Sequence, residues 1–176
     1  MKPILLFLCL SVQLFPLSIP ENCTAFLSKK DMLFAKNRMV QGNNCEQKIS
    51  IARKGRELLF RITVPANRFE SGNSRRNSII EEILGETITF TFLLHPDMLQ
   101  KPDFLAAGQI QIRNISYPLV FKVTGKDGSY QGMYTGKLTD LGITPPTAGP
   151  FHAVAKTHDY VILGFHIRQN IIREKM

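Results

Sequence analysis

Alternation of apolar and polar side chains with a period of two runs through most of the chain, and it leaves few folds open. Leu58, Phe60, Ile62 and Val64 share one face of an extended segment, with Arg61 and Thr63 on the other. Ile88, Phe90, Phe92 and Leu94 alternate with Thr87, Thr89 and Thr91. Ile110 and Ile112 alternate with Gln109, Gln111 and Arg113, and Leu119, Phe121 and Val123 oppose Lys122 and Thr124. Val161, Leu163, Phe165 and Ile167 oppose Tyr160, His166 and Arg168, with Ile162 breaking the polarity. Ile49 and Ile51 begin the same pattern earlier. Strands patterned this way bury one face and wet the other, as antiparallel sheets do.

Turn residues fall between these segments. Lys54-Gly55 separates the strands near 49 and 60, and Asn114 to Pro118 separates those near 112 and 121. Lys126-Asp127-Gly128 reads as a tight hairpin turn with Asp-Gly at its centre. With one strand near Thr24–Ser28 or Leu33–Val40, the total is about eight, which suits a closed antiparallel barrel holding a single small ligand. Ser74 to Gly85 departs from the pattern. Ile79, Ile80, Ile83 and Leu84 fall at helical spacing, Ser78 and Glu81 have capping-box spacing, and Gly85 can end a helix. This short helix either caps one end of the barrel or packs along its outside. The fold class is therefore all-β, an antiparallel, about eight-stranded, lipocalin-like barrel with one short helix.

In the strand from Ser129 to Thr139, Tyr130, Gly132, Tyr134, Gly136 and Leu138 share a face. The two glycines fit barrel curvature. The competing reading is room for a ligand beside the tyrosines.

Met1-Lys2, the apolar run from Ile4 to Leu17, Pro16 and the polar Glu21-Asn22 have the layout of a secretory signal peptide. Cleavage after residue 18 or as late as 25 leaves a barrel domain over 26–170 and a tail over 171–176. If the cut follows Ser18, Cys23 and Cys45 both remain and can pair in an oxidising compartment; if it follows Ala25, Cys45 is left alone. The expected location is periplasmic or secreted. A lipid anchor on Cys23 is disfavoured, because Ile19-Pro20-Glu21-Asn22 lacks the small residues that such processing needs. The net charge of +8 is scattered, with no run of Lys or Arg longer than two. That pattern is unlike a nucleic-acid interface and leaves attraction to anionic headgroups, and peripheral membrane contact, as its sharper meaning.

Catalytic signatures are lacking. The sequence has no HExxH, no Gly-x-Ser-x-Gly elbow, no Walker loop and no Gly-x-Gly-x-x-Gly. His95, His152, His158 and His166 are not spaced as helical metal ligands, and all four read as solvated or edge residues. Adjacent Glu81 and Glu82 face different directions on a helix. Neither a metal nor a cofactor is expected, and the chain is read as a non-enzyme.

Three blocks resemble the YceI-like family of small secreted lipid-binding barrels. The first is Arg68-Phe69-Glu70-Ser71-Gly72-Asn73-Ser74-Arg75-Arg76-Asn77, followed by the helix from Ile79 to Leu84 and the strand Ile88-Thr89-Phe90. The second runs from Gly108 to Leu119, with Asn114 where the family's hairpin usually has Gly. The third is Leu138-Thr139-Asp140-Leu141-Gly142-Ile143-Thr144-Pro145-Pro146, then Asp159-Tyr160-Val161. The resemblance covers roughly residues 46 to 168. It implies an extended lipocalin-like barrel with an apolar tunnel for a long isoprenoid or similar amphiphilic lipid, carried or sequestered without chemistry. A cation at the mouth would hold a headgroup or pyrophosphate, with Arg61, Arg75 and Arg76 as candidates.

Alternation supplies the pocket candidates: Phe60, Ile62, Phe90, Phe92, Phe121, Tyr134, Leu163 and Phe165. A filled barrel shows the same inward pattern as a hollow one, because the two differ only in summed side-chain volume. The alternative is accordingly a secreted interaction or stress-related module with a solid barrel and no lipid, using loops such as Thr144 to His152 as its contact surface. A third reading, an enzyme working through the tyrosines or His166, has no motif behind it.

Overall fold

A computed structural model describes residues 17–149 and 154–175. Most of the expected leader, and His152, lie outside the described residues. The strands are β1 (Thr24–Met32), β2 (Ala35–Asn44), β3 (Lys48–Lys54), β4 (Glu57–Pro65), β5 (Thr87–Leu94), β6 (Asp103–Ile112), β7 (Ile115–Lys126), β8 (Ser129–Gly136), β9 (Thr147–Ala148) and β10 (Ala155–Arg168). Helix α1 spans Ser74–Leu84 and α2 spans Gln169–Lys175.

These ten strands form one antiparallel sheet in the order β2-β1-β10-β8-β7-β6-β5-β4-β3, with β9 paired to β10. The expected eight-stranded closed barrel is thus corrected twice. Both N-terminal segments, not one of them, are strands, and two-residue β9 is too short to leave an alternating pattern. The ladder also does not close, because no backbone pairing joins the edge strands β2 and β3. The sheet still curls far enough to bring distant strands together: Phe92 of β5 meets Phe165 of β10 at 5.8 Å between ring centroids, although the two strands are not neighbours.

Side-chain and backbone ties bridge the open seam at one end. Asn44, buried at the end of β2, donates through Nδ2 to the Pro65 carbonyl at the end of β4 at 2.6 Å. Asn43 and Glu70 exchange backbone hydrogen bonds of 3.0 and 2.8 Å. A Cys23–Cys45 disulfide fastens the chain before β1 to the chain after β2.

The inward rows follow the alternation. Leu58, Phe60, Ile62 and Val64 of β4 are buried, as are Ile88, Phe90, Phe92 and Leu94 of β5. At mid-height the core is aromatic. Phe121 packs against Phe90, Phe92 and Phe165 at 5.7, 5.4 and 5.2 Å between centroids. Each such pair adds about 0.5–1.5 kcal/mol beyond its buried area. Gly132 and Gly136 make room for these rings, not for a ligand: a Cβ at Gly132 would overlap the Phe165 ring, and one at Gly136 the Tyr134 phenol.

Several local expectations shift. The turn after β6 is only Arg113-Asn114, both in the left-handed region. Strand β7 therefore starts at Ile115 and carries Pro118, which sits before β7 begins to pair with β8 at Lys122. Helix α1 starts one turn earlier than the Ser78–Glu81 spacing indicates. Asn73 is its N-cap, accepting from the Arg76 backbone N–H at 2.9 Å, and Gly85 ends it. Residues 171–175 of the expected C-terminal tail belong to α2, whose Ile172 is buried in the core.

His166 is buried, not solvated. The segment from Leu17 crosses the outer face of β10, where Leu17 and Ile19 pack with Ala25, Leu27 and Ile162. The Ile19 carbonyl lies 3.2 Å from His166 Nδ1.

Candidate functional site

The inward-facing residues enclose free volume at one end of the sheet. An open cavity of about 340 Å³ lies beneath α1. That volume is within the usual range for small-molecule pockets. Phe26 of β1 and Val40 of β2 form one wall, Ile88 and Ile112 of β5 and β6 another, and Leu138, Leu141 and Ile143 of the loop after β8 a third. Ile79, Ile80, Ile83 and Leu84 make the roof.

The roof has an unusual packing state. No residue of α1 is buried, yet its aliphatic side chains point at the cavity and remain half-buried. A helix normally docks by burying its apolar stripe against a filled core. Here the stripe covers a void, so the dispersion contacts it would make to a filled interior are missing.

The rim is cationic. Lys30 of β1 and Arg75 and Arg76 of α1 line the cavity. Arg38 of β2 pairs directly across from Lys30, on the same face as Ser28 and Val40, which also line it. Like charges placed opposite each other across strands are destabilising. Among the described residues none of these four side chains has a carboxylate ion-pair partner. Arg76 donates to the Ser71 carbonyl at 2.8 Å. Burial first, then the charges of Arg76 and Arg38, hold the Lys30 ammonium below its ordinary pKa. A bound anion is the charge that would relieve all three cations.

Of the residues picked by alternation, Leu163 lines this cavity. Phe60, Ile62, Phe92 and Phe165 border a much smaller void of about 30 Å³ toward α2. Phe90 and Phe121 fill the middle of the core, and Tyr134 packs beside Phe121 at 6.1 Å. Among the headgroup candidates, Arg75 and Arg76 reach the rim, while Arg61 lies exposed on β4 opposite Thr91 of β5. Alternation missed Lys30, Arg38 and the cavity-lining role of Ile79, Ile80, Ile83 and Leu84. The signal available for the helix was four aliphatic residues on a stripe with no facing partner in the pattern.

The polar groups weighed for chemistry are separated. His158 meets Asp31 at 3.1 Å, His95 meets Asp97 at 3.2 Å, and His166 lies on the outer sheet face. Burial, and then the Asp140 carboxylate, raise the Tyr134 phenol above its ordinary pKa, the opposite of what a tyrosine base requires.

No protein-family model and no curated protein matches the chain. Solved structures do. Burkholderia cenocepacia BcnA matches with 12% identity and a TM-score of 0.56, over 81% of this chain and 94% of that one. A polyisoprenoid binding domain from Saccharophagus degradans, implicated in plant cell wall breakdown, matches with 11% identity and a TM-score of 0.58, over 81% of this chain and 91% of that one. A YCEI protein of Campylobacter jejuni matches with 16% identity and a TM-score of 0.45, over 71% of this chain and 81% of that one. At such identities a likeness speaks for the fold alone: the chain shares the fold of the Burkholderia cenocepacia and Saccharophagus degradans proteins.

Proposed function

We propose that this protein binds an amphiphilic lipid, isoprenoid-like or of similar build, and carries or sequesters it outside the cytoplasm without chemistry. The tail occupies the cavity beneath α1, and an anionic headgroup sits among Lys30, Arg38 and Arg76. The observation that carries this is the open apolar cavity of about 340 Å³, roofed by half-buried aliphatic side chains and rimmed by cations without carboxylate partners among the described residues. The Saccharophagus degradans neighbour, described as polyisoprenoid binding, supports the ligand class. The leader-like N-terminus and the Cys23–Cys45 disulfide support the location, because structural disulfides persist in oxidising compartments.

The driving force is burial of chain carbons, at about 0.8 kcal/mol per methylene. Association costs roughly 4–15 kcal/mol, so a short chain binds poorly and a cavity-filling one offsets the cost only narrowly, with the headgroup adding the remainder. The headgroup contacts orient the lipid and select its charge.

The packed aromatic middle favours the second reading, a solid interaction module. Native mass spectrometry of protein from its own compartment separates the two. A co-purifying hydrophobic molecule, displaced by a fluorescent anionic alkyl probe, supports the carrier. Protein that emerges empty and takes up no probe supports the module and defeats the carrier.

A further inference from the structure

The β1–β2 hairpin ends in an apolar tip that the fold does not use. Phe34 is 94% exposed and Leu33 is 62% exposed, flanked by half-exposed Met32 and by Val154, just before β10. Leu33 donates its backbone N–H to the Val154 carbonyl at 3.1 Å, so the tip is held to the start of β10. An aromatic ring left in water at the end of a fixed hairpin forgoes most of the stabilisation its burial would give.

Charge surrounds this tip. Between residues 29 and 38, Lys29, Lys30, Lys36 and Arg38 stand against a single carboxylate, Asp31. Asp31 is already engaged, accepting from the Asn37 backbone N–H at 2.8 Å and meeting His158 at 3.1 Å. The cations are thus in excess around an exposed aromatic and three aliphatic neighbours. An apolar wedge ringed by basic residues matches the layered chemistry of an anionic bilayer, with acyl chains below and negative headgroups above.

The position fits as well. Met32 pairs with Ala155 and Lys30 with Thr157, and Lys30, Ala155 and Thr157 all line the cavity. The exposed tip and the cavity mouth are therefore neighbours on one end of the molecule.

We propose that the Leu33-Phe34 tip is a docking finger for anionic lipid bilayers, inserting Phe34 between headgroups while Lys29 and Lys36 engage them. Docked in this way, the cavity mouth lies beside the membrane surface. The insertion itself does not depend on what occupies the cavity.

The chain contains no Trp, so F34W installs a single fluorescent reporter at the tip. Full-length F34W is mixed with vesicles of phosphatidylcholine containing phosphatidylglycerol. A blue shift of emission, quenched by lipids brominated on their acyl chains, is the expected result. The matching reporter L105W, at an exposed position on β6, stays unshifted. Raising the salt weakens the F34W response, and each surface cation lost costs about fivefold in vesicle affinity. F34D lowers vesicle affinity about tenfold or more, while its fold, read by circular dichroism, and its uptake of the alkyl probe stay unchanged. An unshifted F34W, or equal shifts at positions 34 and 105, overturns the proposal. So does a response to neutral vesicles that salt does not touch. If F34D instead converts a dimer to a monomer and leaves vesicle binding intact, the tip covers a second copy of the chain and the membrane assignment fails. Loss of probe uptake by the wild type with the F34W shift retained counts against the cavity function alone.

Discussion

At the scale of single residues, two positions separate function from stability. Lys30 is partly desolvated, feels Arg76 from the helix and faces Arg38 across the hairpin, so its charge is less favoured than in water and an anion beside it would favour it. Lys30→Glu places a carboxylate among those cations. It should leave the melting temperature unchanged or slightly raised, since exposed ion pairs are worth about 0–1 kcal/mol. It should also weaken an anionic alkyl ligand about tenfold or more, the loss of a charge-assisted hydrogen bond, while a neutral alkyl alcohol binds as before. Calorimetry on the two ligands checks this, and equal losses for both would remove Lys30 from headgroup recognition. Cys45 is the opposite case. Its bond to Cys23 closes a loop with a sequence separation of 22. The chain-entropy estimate for such a loop is about 3 kcal/mol. Cys45→Ser should therefore lower the melting temperature by roughly 6–12 °C. Ligand affinity at 25 °C should change little, because neither cysteine lines the cavity.

At the scale of elements, the site is a helix and a loop laid over the end of a sheet, and each part can be tested. Ile83 sits half-buried in the roof. Ile83→Trp has room to turn into the cavity, so the fold should survive and the alkyl probe should be excluded. Full probe uptake in a folded variant would place the ligand elsewhere. The loop after β8, which brings Leu138 and Leu141 to the wall, is tied by Asp159, which accepts from the Thr139 backbone N–H at 2.9 Å and from its hydroxyl at 2.7 Å. Those two bonds, hydroxyl first, hold the Asp159 carboxyl below its ordinary pKa. A depressed carboxyl contributes fully above its unfolded-state pKa and loses that contribution as the pH falls through the folded value. Probe release should accordingly stay slow at neutral pH and accelerate only in acid, below the usual carboxylate range. Asp159→Asn should release faster at neutral pH, with a flatter acid dependence. The same elements show how far the sequence could be read. Strands β4, β5, β6 and β7 were legible because each buries one row and exposes or half-exposes the other, and β10 because its inward row Val161, Leu163, Phe165 and Ile167 is apolar, although His166 on its other face is buried as well. The pair β1 and β2 was not. Leu27 and Ala25 are buried on the outer face by Leu17 and Ile19, and β2 is largely polar, so neither strand alternates cleanly. Helix α1 was legible from its stripe, and capping one end of the sheet was one of its two expected placements, but that it would cover a void was not legible. Whether Ile83 meets a core or a void depends on side chains far away in the chain.

At the scale of the whole molecule, the interior is divided. Phe90, Phe92, Phe121 and Phe165 fill its middle, Ile172 of α2 borders only a small void at one end, and the usable space lies at the other, beneath α1. Alternation shows which side chains face inward but not where their volumes fall short, and that is why the aromatic positions it selects mostly build the plug. The division makes a quantitative prediction about chain length. Each methylene buried contributes about 0.8 kcal/mol, or close to a fourfold gain in affinity. For a series of linear alkyl carboxylates measured below their aggregation thresholds, Kd should fall by about that factor per carbon while the chain is still filling the cavity. Once the space is full, further carbons must displace the aromatic plug or remain in water, and the gain should stop. If a methylene takes up the ~30 Å³ of a liquid water, the break falls on the order of a dozen carbons. A tunnel running the length of the molecule would instead keep improving well past that point, and a solid interior would show no dependence on length. The slope of log Kd against carbon number therefore separates the three interiors, and Phe92→Ala tests the plug directly. Opening the wall between the two spaces should move the break to longer chains, at a cost of about 3–5 kcal/mol in stability.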